Sequence, residues 1–517
     1  MSLINNIVLS ALSPVLREFQ RGVLSPEPTQ RALLERFVQN GRETLFGRDH
    51  HFGQINNYAD FVRNVPIRTY DDFVPYIERL RRGEDYILWN EKVKWFARSS
   101  GTSSDKSKYI PITPSNLQQC HYRGFKTLIG TYLRQTPQSR LFNGKSLTLG
   151  GSVTPDVLGN GGIFNGDLSA ILLKNSPKVV EIVRTPSQKD AVIADFEEKV
   201  ARICEVCSRQ NVTNFSGVPS WNLIMVKKLL EYNNVSTLDQ IWPNIELFNH
   251  GGISFRPYKE QFKQLIPSEN MHYRENYNAS EGYFAVQDDP EDESMTLTFH
   301  NGVFYEFVPM SALDKVLAGE SDEVYPIEGV KTGVQYAIVI TTNSGLWRYL
   351  IGDCVEFTSV FPHKIIITGR KKLFINAFGE ELMIHNAENA LHKACRLSGV
   401  TVTDFTVAPL FMDQNGGKGA HQWCIEFSAE SSGKMKNDSA LEKFTQDLDN
   451  ALREQNSDYD AKRSGDATMT RLQITPLPEG TFYRWMSSRE KVGGQNKVPR
   501  LSPEREFVEA LLLMRNQ

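Results

Sequence analysis

Residues 97–113, ARSSGTSSDKSKYIPIT, bring hydroxyl side chains, a glycine and lysines together directly before an apolar run typical of a strand. Hydroxyls and exposed backbone N–H groups can donate hydrogen bonds to phosphate oxygens, and Lys108 adds a positive charge. The candidate donors are Ser99, Ser100, Gly101, Thr102 and Ser103. The segment is not the common phosphate-binding loop, in which a second glycine directly precedes the lysine. Its composition fits either a nucleotide-binding loop or a plain surface turn.

Two carboxylates stand at predicted turns farther along the chain. Glu281 follows Ser280 in ENYNASEGYFAVQ, between two apolar runs, and Mg²⁺ prefers one or two such carboxylates together with phosphate oxygens. Asp353 closes the apolar run GLWRYLIGD, where its carboxylate can accept both hydroxyls of a ribose. Each also fits an ordinary solvated turn. Only the combination of the two carboxylates with the hydroxyl-rich segment therefore indicates a nucleotide-binding site.

The elements that must position these residues change in character along the chain. Up to about residue 100, apolar residues recur at the three-and-four spacing of amphipathic helices. From there to about residue 360, runs rich in β-branched residues alternate with helical stretches, which is typical of a layered α/β domain. Beyond residue 370, strands and helices indicate a small α+β domain. The sequence predicts an α/β protein with a large N-terminal domain, residues 1–367, and a smaller C-terminal domain, residues 368–517.

Composition excludes several classes of protein. The 517 residues include 58 basic and 61 acidic ones, for a formal charge of −3, and no basic block attracts nucleic acid or an anionic membrane. No segment approaches the roughly 20 apolar residues of a membrane span. The six cysteines are scattered, and Cys204 and Cys207 lie in a helical pattern that favours packing over a redox or metal role. We expect a cytoplasmic protein without nucleic-acid or membrane partners.

Taken in order, the motifs resemble those of the acyl-adenylate-forming superfamily, and more closely its auxin-responsive branch, the acyl-acid-amido synthetases. Residues 99–108 resemble SSGTSxGxxK, residues 277–281 resemble YxxSE, and YLIGD at 349–353 resembles the third motif. Near the C-terminus, GGQNKVPRL is similar to GQxKxPR. The resemblance covers essentially the whole chain. One departure is Asp105, which stands where the family often has a second glycine and whose charge must point away from the phosphates.

The resemblance implies a ligase that uses ATP and Mg²⁺. A carboxylic acid attacks the α-phosphorus of ATP to give an acyl-adenylate and pyrophosphate, and the amine of an amino acid then displaces AMP. Lys108 would offset pyrophosphate charge, Glu281 would hold Mg²⁺ and Asp353 would anchor the ribose. The other residues of the implied ATP site are Ser99, Ser100, Gly101, Thr102, Ser103, Asn249, His250, Gly251, Gly252, Tyr277, Ser280 and Arg370.

In such enzymes the small domain is mobile, and its rotation lets one site serve two successive reactions. Arg370 lies where the hinge is expected, and Lys497 matches the mobile catalytic lysine, which we expect to serve the adenylate-forming step. Tyr277 is the candidate to stack on the adenine, beside the glycine turn at 249–252. The basic residues also fit surface ion pairs, and His250 also fits a structural turn histidine.

The acyl pocket is expected beyond the helix PSNLQQCHYRGFKTLIGTYL, where the candidates are Tyr122, Arg123 and Phe125. Arg123 can hold a carboxylate, although the three residues also fit a core-facing aromatic pair beside a solvated arginine. Two other functions stay open: an acyl-CoA ligase of the same fold, and a nucleotide-binding regulatory protein without turnover. The sequence names neither the acid nor the amine, and it does not indicate an oligomeric state.

Overall fold

The structure is a computed structural model, and its chain forms two compact units. The larger unit contains Met1–Gly252 and Pro267–Ile366, and the smaller contains Ile253–Ile266 and Ile367–Gln517. Whether these units are the two predicted domains, divided at residue 367, stays a prediction. The structure describes residues 3–99, 108–159, 162–193, 195–252, 255–256, 258–370, 374–375, 380, 382–410, 419–456, 459–460, 463, 469–488, 498–502 and 504–515.

Strands supply the frame of both units. Their bounds are β1 Trp95–Ser99, β2 Lys108–Ile112, β3 Lys145–Thr148, β4 Val153–Pro155, β5 Phe164–Gly166, β6 Arg184–Thr185, β7 Val212–Gly217, β8 Leu247–Gly251, β9 His272–Ala279, β10 Gly282–Val286, β11 Met295–Leu297, β12 Val303–Pro309, β13 Gln335–Thr342, β14 Tyr349–Val360, β15 His363–Arg370, β16 Phe374–Ile375, β17 Leu382–Met383, β18 Val402–Leu410, β19 Ala420–Phe427 and β20 Gln473–Leu477.

The described strands of the larger unit form two sheets. One has eleven strands in the order β12-β13-β14-β15-β11-β10-β9-β8-β7-β3-β6, and the other has four in the order β2-β1-β5-β4. Strands β6, β3, β7, β8 and β9 pair in parallel, whereas β9 to β11 and β12 to β14 pair antiparallel. The carboxyl ends of the parallel strands therefore lie along one edge, which is where α/β sheets bind ligands.

Helices surround these strands. Their bounds are α1 Leu3–Leu24, α2 Pro26–Gly41, α3 Leu45–Asp49, α4 Tyr58–Asn64, α5 Tyr70–Arg81, α6 Pro114–Asn116, α7 Tyr122–Gln135, α8 Leu168–Asn175, α9 Val180–Val183, α10 Gln188–Ala191, α11 Phe196–Cys207, α12 Pro219–Asn233, α13 Lys259–Leu265, α14 Leu313–Leu317, α15 Ile384–Ser398, α16 Ala429–Met435, α17 Asp438–Gln455, α18 Thr481–Ser488 and α19 Glu506–Arg515. The 3₁₀ turns are Phe52–Gln54, Leu141–Asn143, Leu238–Gln240 and Ile327–Gly329. A π-helical turn, Leu117–His121, joins α6 to α7.

The helix ends follow from local sequence. At the start of α5, the Asp72 carboxylate accepts the Thr69 backbone N–H at 2.8 Å, which closes a capping box. Helix α15 ends at Gly399, whose φ of +58° is left-handed and therefore suits glycine. Helix α11 contains Cys204 and Cys207 as free, buried thiols, in agreement with the packing interpretation.

Each unit has its own apolar core. In the larger unit the Trp347 ring stacks on Phe46 and meets Phe52 edge-on, with ring centroids 6.0 and 4.7 Å apart. In the smaller unit the Phe405 and Trp423 rings stack at 5.6 Å on the three-stranded sheet β18-β19-β20, beside the short pair β16-β17. The structure confirms the predicted α/β fold class. Across the described residues, no helix is both long enough and apolar enough to cross a bilayer.

Candidate active site

The hydroxyl-rich segment joins two paired strands. Ser99 ends β1 and lies directly opposite Lys108, the first residue of β2, so both ends of the segment are fixed at one place on the four-stranded sheet. Its predicted phosphate donors Ser100, Gly101, Thr102 and Ser103 lie outside the described residues. Lys497, predicted as the mobile lysine, also lies outside them.

Lys108 lies between two tyrosines. Its Nζ is 3.3 Å from Tyr349 Oη and can donate a hydrogen bond to it. The same Nζ is 5.7 Å from the centroid of the Tyr70 ring and 5.9 Å from that of Tyr349, within the range of a cation–π interaction. Because Tyr349 is buried, Lys108 is held against the first residue of β14.

Gly352 and Asp353, which end the third motif, lie in a bulge in the interior of β14. Strand β13 pairs Ala337 with Cys354 but Val339 with Leu350, so residues 351–353 contain the extra residues of the bulge. Gly352 has a φ of +92°, which glycine adopts without strain. The sequence suggested a turn at the end of a strand, whereas β14 continues seven residues beyond Asp353. The bulge re-aims the Asp353 side chain out of the regular alternation of the strand.

Asp353 and Tyr277 are brought together. Tyr277 Oη donates a hydrogen bond of 2.5 Å to Asp353 Oδ2, which links the second motif to the third. The Tyr277 ring meets Phe284 edge-on at 4.8 Å and is buried in the core of the larger unit. The contact fixes the orientation of the Asp353 carboxylate. Stacking of Tyr277 on an adenine stays a prediction.

Ser280 and Glu281 form a two-residue turn between β9 and β10. Ala279 pairs directly with Gly282, so only these two residues connect the strands. Both are buried, with exposed fractions of 6% and 5%, although turns normally lie at the surface. Glutamate is seldom buried unless it is paired, so Glu281 is not an ordinary solvated turn residue. Glu281 has further interactions within the chain.

The carboxylates of the site determine which metal ion it could hold. Among the described residues, no three His, Cys, Asp or Glu side chains lie close enough to form a metal site. A single buried carboxylate does not make an all-protein site, but it fits Mg²⁺ that arrives bound to phosphate oxygens. Glu281 therefore fits the predicted role, and its contact with Mg²⁺ stays a prediction.

The glycine turn lies at the carboxyl end of β8. Gly251 pairs with Asn276 on β9, and a Cβ on Gly251 would overlap the Asn276 carbonyl, so only glycine permits this approach. Gly252 has a φ of +82°. Asn276 Nδ2 donates to the carbonyl of the buried His250 at 2.9 Å. The turn and the Ser280–Glu281 hairpin lie at the same edge of the sheet.

The side chain of Asn249 is buried on β8 beside the glycine turn. Its side chain is 1% exposed, and neither its amide oxygen nor its amide nitrogen has a hydrogen-bond partner among the described residues. Leaving a buried amide unpaired costs free energy, so such a group is expected to meet a ligand. An asparagine amide matches the paired donor and acceptor of an adenine.

The predicted acyl-pocket residues occupy different surroundings. Tyr122 Oη donates to the Leu172 carbonyl at 2.7 Å. Arg123 Nη1 lies 2.7 Å from Glu18 Oε2 on α1 and 3.2 Å from the His300 carbonyl, which favours a role in helix packing. Phe125 is 44% exposed. The three residues do not converge on one described contact, and their substrate roles stay predictions. Arg370 is the last residue of β15.

Several polar residues at the site have no signal in the sequence. His121 precedes Tyr122 on the π-helical turn, and its Nδ1 lies 3.0 Å from Asn278 Oδ1. Burial lowers the pKa of His121 to about 4. Tyr70 lies far from Lys108 in the sequence, and only the folded chain brings its ring near the Lys108 ammonium. Tyr349 belongs to the third motif, but the motif does not indicate its contact with Lys108. A π-helical turn is frequent at functional sites, but it cannot be recognised from helical periodicity.

Three family models match the chain. The model of the GH3 family N-terminal domain matches residues 15–213 and 163–271, that of the GH3 family central domain residues 296–370, and that of the GH3 family C-terminal domain residues 385–506. Together these matches include well over half of the chain.

Curated relatives are similar along most of their length. Indole-3-acetic acid-amido synthetase GH3.10 of Arabidopsis thaliana is 24% identical over 530 aligned residues, covering 87% of this chain and 87% of the relative. The 4-substituted benzoates-glutamate ligase GH3.12 of the same plant is 23% identical over 525 residues, covering 85% and 87%.

Solved structures share the fold. The acyl acid amido synthetase AtGH3.15 in complex with 2,4-DB superposes with a TM-score of 0.79 at 20% identity, covering 98% of this chain and 96% of that one. A 2-hydroxyisobutyryl-CoA ligase in its postadenylation state superposes with a TM-score of 0.57 at 11% identity, covering 99% and 92%. At these identities the likeness concerns the fold alone.

Proposed function

The chain belongs to the GH3 family, and on that premise we propose that it is an ATP-dependent acyl acid amido synthetase. It activates a small carboxylic acid as an acyl-adenylate and transfers the acyl group to the amine of an amino acid. The observation that carries the proposal is the convergence of the three motifs: Lys108 lies against Tyr349 on β14, and Asp353 on the same strand accepts the hydroxyl of Tyr277.

The two steps follow from the chemistry of a carboxylate. One of its oxygens attacks the α-phosphorus of ATP, the bond to the β-phosphate oxygen breaks, and pyrophosphate leaves. The acyl-adenylate then has a good leaving group, so the amine attacks the carbonyl carbon, AMP departs and the amine proton is released. The amide retains the second carboxylate oxygen.

Lys108 and Asp353 act on opposite ends of the nucleotide. The Lys108 ammonium offsets charge on the departing pyrophosphate, where negative charge is densest, and its tyrosine contacts pre-orient it. The Asp353 carboxylate accepts hydrogen bonds from the ribose hydroxyls, and the Tyr277 hydroxyl fixes its orientation.

The adenine lies beside the glycine turn in this proposal. Its support is the amide of the buried Asn249, which has no hydrogen-bond partner among the residues that the structure describes and lies next to His250, Gly251 and Gly252 at the carboxyl ends of the parallel strands. The phosphates lie toward the segment that follows Ser99. The loop residues of that segment and Lys497 keep the roles that the sequence predicts for them, with Lys497 serving the adenylate-forming step.

We assign Mg²⁺ to Glu281. When bound to the phosphates, the ion would neutralise part of their charge. The carboxylate of Glu281 would hold that ion at the turn beside β9, where a second protein carboxylate is not required.

The class of substrate follows from the named relatives. They are named for indole-3-acetic acid and for 4-substituted benzoates with glutamate. We therefore propose a small carboxylic acid and an amino acid for this chain, and indole-3-acetate and 4-substituted benzoates are the first acids to test.

Product analysis tests the proposal. The chain is incubated with ATP, Mg²⁺ and a panel of these acids, with amino acids, with coenzyme A or with neither, and AMP, pyrophosphate and acyl products are measured. We expect acid-dependent AMP and pyrophosphate, and an amide only with amino acids. A thioester formed with coenzyme A identifies an acyl-CoA ligase instead. Nucleotide binding without acid-dependent turnover identifies a regulatory protein.

A further inference from the structure

Arg348, directly before β14, has an unusual backbone conformation. Its φ is +46°, in the left-handed region that residues other than glycine rarely adopt. Such strain persists only where the surrounding structure over-determines it, and it clusters at functional sites. The fold must therefore gain something from the position of this residue.

A buried network fixes Arg348. Its Nε lies 3.1 and 2.9 Å from the two carboxylate oxygens of Glu306 on β12, and its Nη1 donates to the Val65 carbonyl at 2.8 Å. Tyr58 Oη donates to the same carboxylate at 2.7 Å. The side chains of Arg348 and Glu306 are 3% and 0% exposed. The desolvation of two enclosed charges offsets much of their attraction, so such a pair adds little net stability.

The backbone of Arg348 is fixed as well. Its N–H donates to Thr341 Oγ1 at 3.0 Å, and its carbonyl accepts the Arg68 N–H at 3.0 Å. Arg68 returns the contact by accepting the Leu350 N–H at 2.8 Å. The side chain of Arg348 and the backbone groups of residues 348 and 350 thus all take part in fixing the start of β14.

The next residues along the chain belong to the proposed ATP site. Tyr349 directly follows Arg348, and its hydroxyl lies 3.3 Å from Lys108 Nζ. The bulge that carries Asp353 begins at Ile351, two residues later. A change in the backbone angles at residue 348 would therefore shift both Tyr349 and the bulge.

We infer that Arg348 is a positioning residue for ATP binding. Its ion pair with Glu306 keeps the backbone of residue 348 in the left-handed conformation, so that Tyr349 contacts Lys108 and the bulge orients the Asp353 carboxylate toward the nucleotide. The inference rests on the proposed function, because it takes Lys108 and Asp353 as nucleotide contacts. Arg348 itself touches no nucleotide and acts through the backbone.

Two substitutions separate positioning from stability. Arg348→Gly and Arg348→Ala both remove the guanidinium that pairs with Glu306, but only glycine adopts the left-handed conformation without strain. If the backbone conformation matters, Arg348→Ala must bind ATP more weakly than Arg348→Gly. If Arg348 serves stability alone, the two variants bind ATP equally.

The matched control is Arg463→Ala in the smaller unit. Arg463 also pairs with a buried carboxylate, although it donates from two nitrogens, with Nε and Nη2 at 3.0 and 2.9 Å from the oxygens of Asp449. The ATP Kd is measured by calorimetry with Mg²⁺, at a temperature at which circular dichroism shows each variant folded.

We expect Arg348→Ala to raise the Kd by about tenfold or more, as misplacement of a binding group does. We expect Arg348→Gly to raise it several-fold less, and Arg463→Ala to leave it unchanged. Equal Kd values for the Gly and Ala variants, or a Kd for Arg348→Ala equal to that of the control, overturn the inference.

If the Arg348 variants do not fold, less disruptive substitutions test the same inference. Tyr58→Phe removes one hydrogen bond from Glu306, and Tyr132→Phe removes a similar one, of 3.0 Å, from the buried Glu246. A raised ATP Kd in Tyr58→Phe but not in Tyr132→Phe supports the inference, and equal values overturn it. If the unmodified chain binds no ATP, the proposed function fails, and the inference fails with it. If the unmodified chain binds ATP and the variants bind it with the same Kd, only the inference is refuted.

Discussion

Each unit buries a network of a tyrosine, an arginine and a carboxylate, and the two networks differ in the backbone that they hold. In the larger unit Tyr58 and Arg348 share the carboxylate of Glu306, with the tyrosine oxygen at 2.7 Å. In the smaller unit Tyr459 and Arg463 share that of Asp449, again with the tyrosine oxygen at 2.7 Å. Each arginine also donates to a backbone carbonyl, that of Val65 or of Met469.

The difference lies in the backbone that the networks hold. Arg348 is left-handed, and the strand that follows it carries Tyr349 and Asp353. The second network joins α17 to the chain beyond it, and none of the predicted site residues is among its described partners. The same buried chemistry therefore stabilises in one place and positions in the other.

The largest effect is expected when a carboxylate is neutralised in either network. Asp449→Asn and Glu306→Gln each leave a buried guanidinium uncompensated, which lowers the free energy of unfolding by about 3 kcal/mol. Urea denaturation measures this loss, and only Glu306→Gln is expected to weaken ATP binding as well. If Asp449→Asn weakens ATP binding to the same extent, the distinction between the networks is lost.

Removal of the positioned cation comes next. Lys108→Ala is expected to lower acid-dependent exchange of pyrophosphate into ATP by about a hundredfold, as loss of one pre-organised charge does. The control is Lys364→Ala, which breaks a contact of 2.7 Å to Asp292 elsewhere in the larger unit. Exchange that survives in Lys108→Ala as well as in the control would return Lys108 to a packing role.

A smaller effect is expected at the buried turn. Glu281→Gln should raise the Mg²⁺ concentration for half-maximal activity by at least about tenfold, because it removes the charge that holds the ion. Glu246→Gln alters another buried carboxylate of the larger unit and should leave this concentration unchanged. An Mg²⁺ dependence identical in both variants contradicts the assignment of the ion to Glu281.

The smallest effect concerns acid. Burial lowers the pKa of His121 and His363 to about 4 and that of His300 to about 3, all in the larger unit. The unfolded chain takes up these protons first, so stability is lost as the pH falls from about 6.5 toward these values. Each histidine contributes a loss of about 1 kcal/mol between pH 6.5 and 5.5.

Urea denaturation at both pH values checks this expectation. His300→Gln should reduce the loss by the share of one histidine, whereas substitution of the exposed His51 by Asn, which tolerates the left-handed φ of +52° there, should not. A pH dependence that His300→Gln leaves unaltered would show that His300 is already charged in the folded protein.

Much of the fold could be predicted from hydrophobic periodicity. Helical spacing before residue 100 predicted helices there, and the structure has α5 at Tyr70–Arg81. Helix α12, Pro219–Asn233, is among the helical stretches predicted between about residues 100 and 360. Strands were also predicted beyond residue 370, and the structure has the antiparallel pair β18 and β19 there. In α5 the buried Phe73, Ile77 and Leu80 recur at helical spacing, so the sequence carries the period of the structure. Strands β18 and β19 are buried on both faces, and they show in the sequence as nearly continuous apolar runs.

The arrangement of the site could be predicted only in part. Motif order identified Lys108, Tyr277, Glu281 and Asp353, but not the bulge at 351–353, because an extra residue in a strand depends on the register of its neighbour. The role of Arg348 was equally hidden, since nothing in its type indicates a positive φ. Contacts between segments far apart in the chain exist only once the sheet has formed.

The central claim is that a carboxylate oxygen attacks the α-phosphorus of ATP in this chain. The most direct test supplies a carboxylic acid labelled with ¹⁸O in its carboxylate, together with ATP, Mg²⁺ and an amino acid, and follows the label by mass spectrometry. The account predicts AMP that carries one ¹⁸O atom and an amide that retains the other. Unlabelled AMP, or label in inorganic phosphate with ADP as the product, would contradict it.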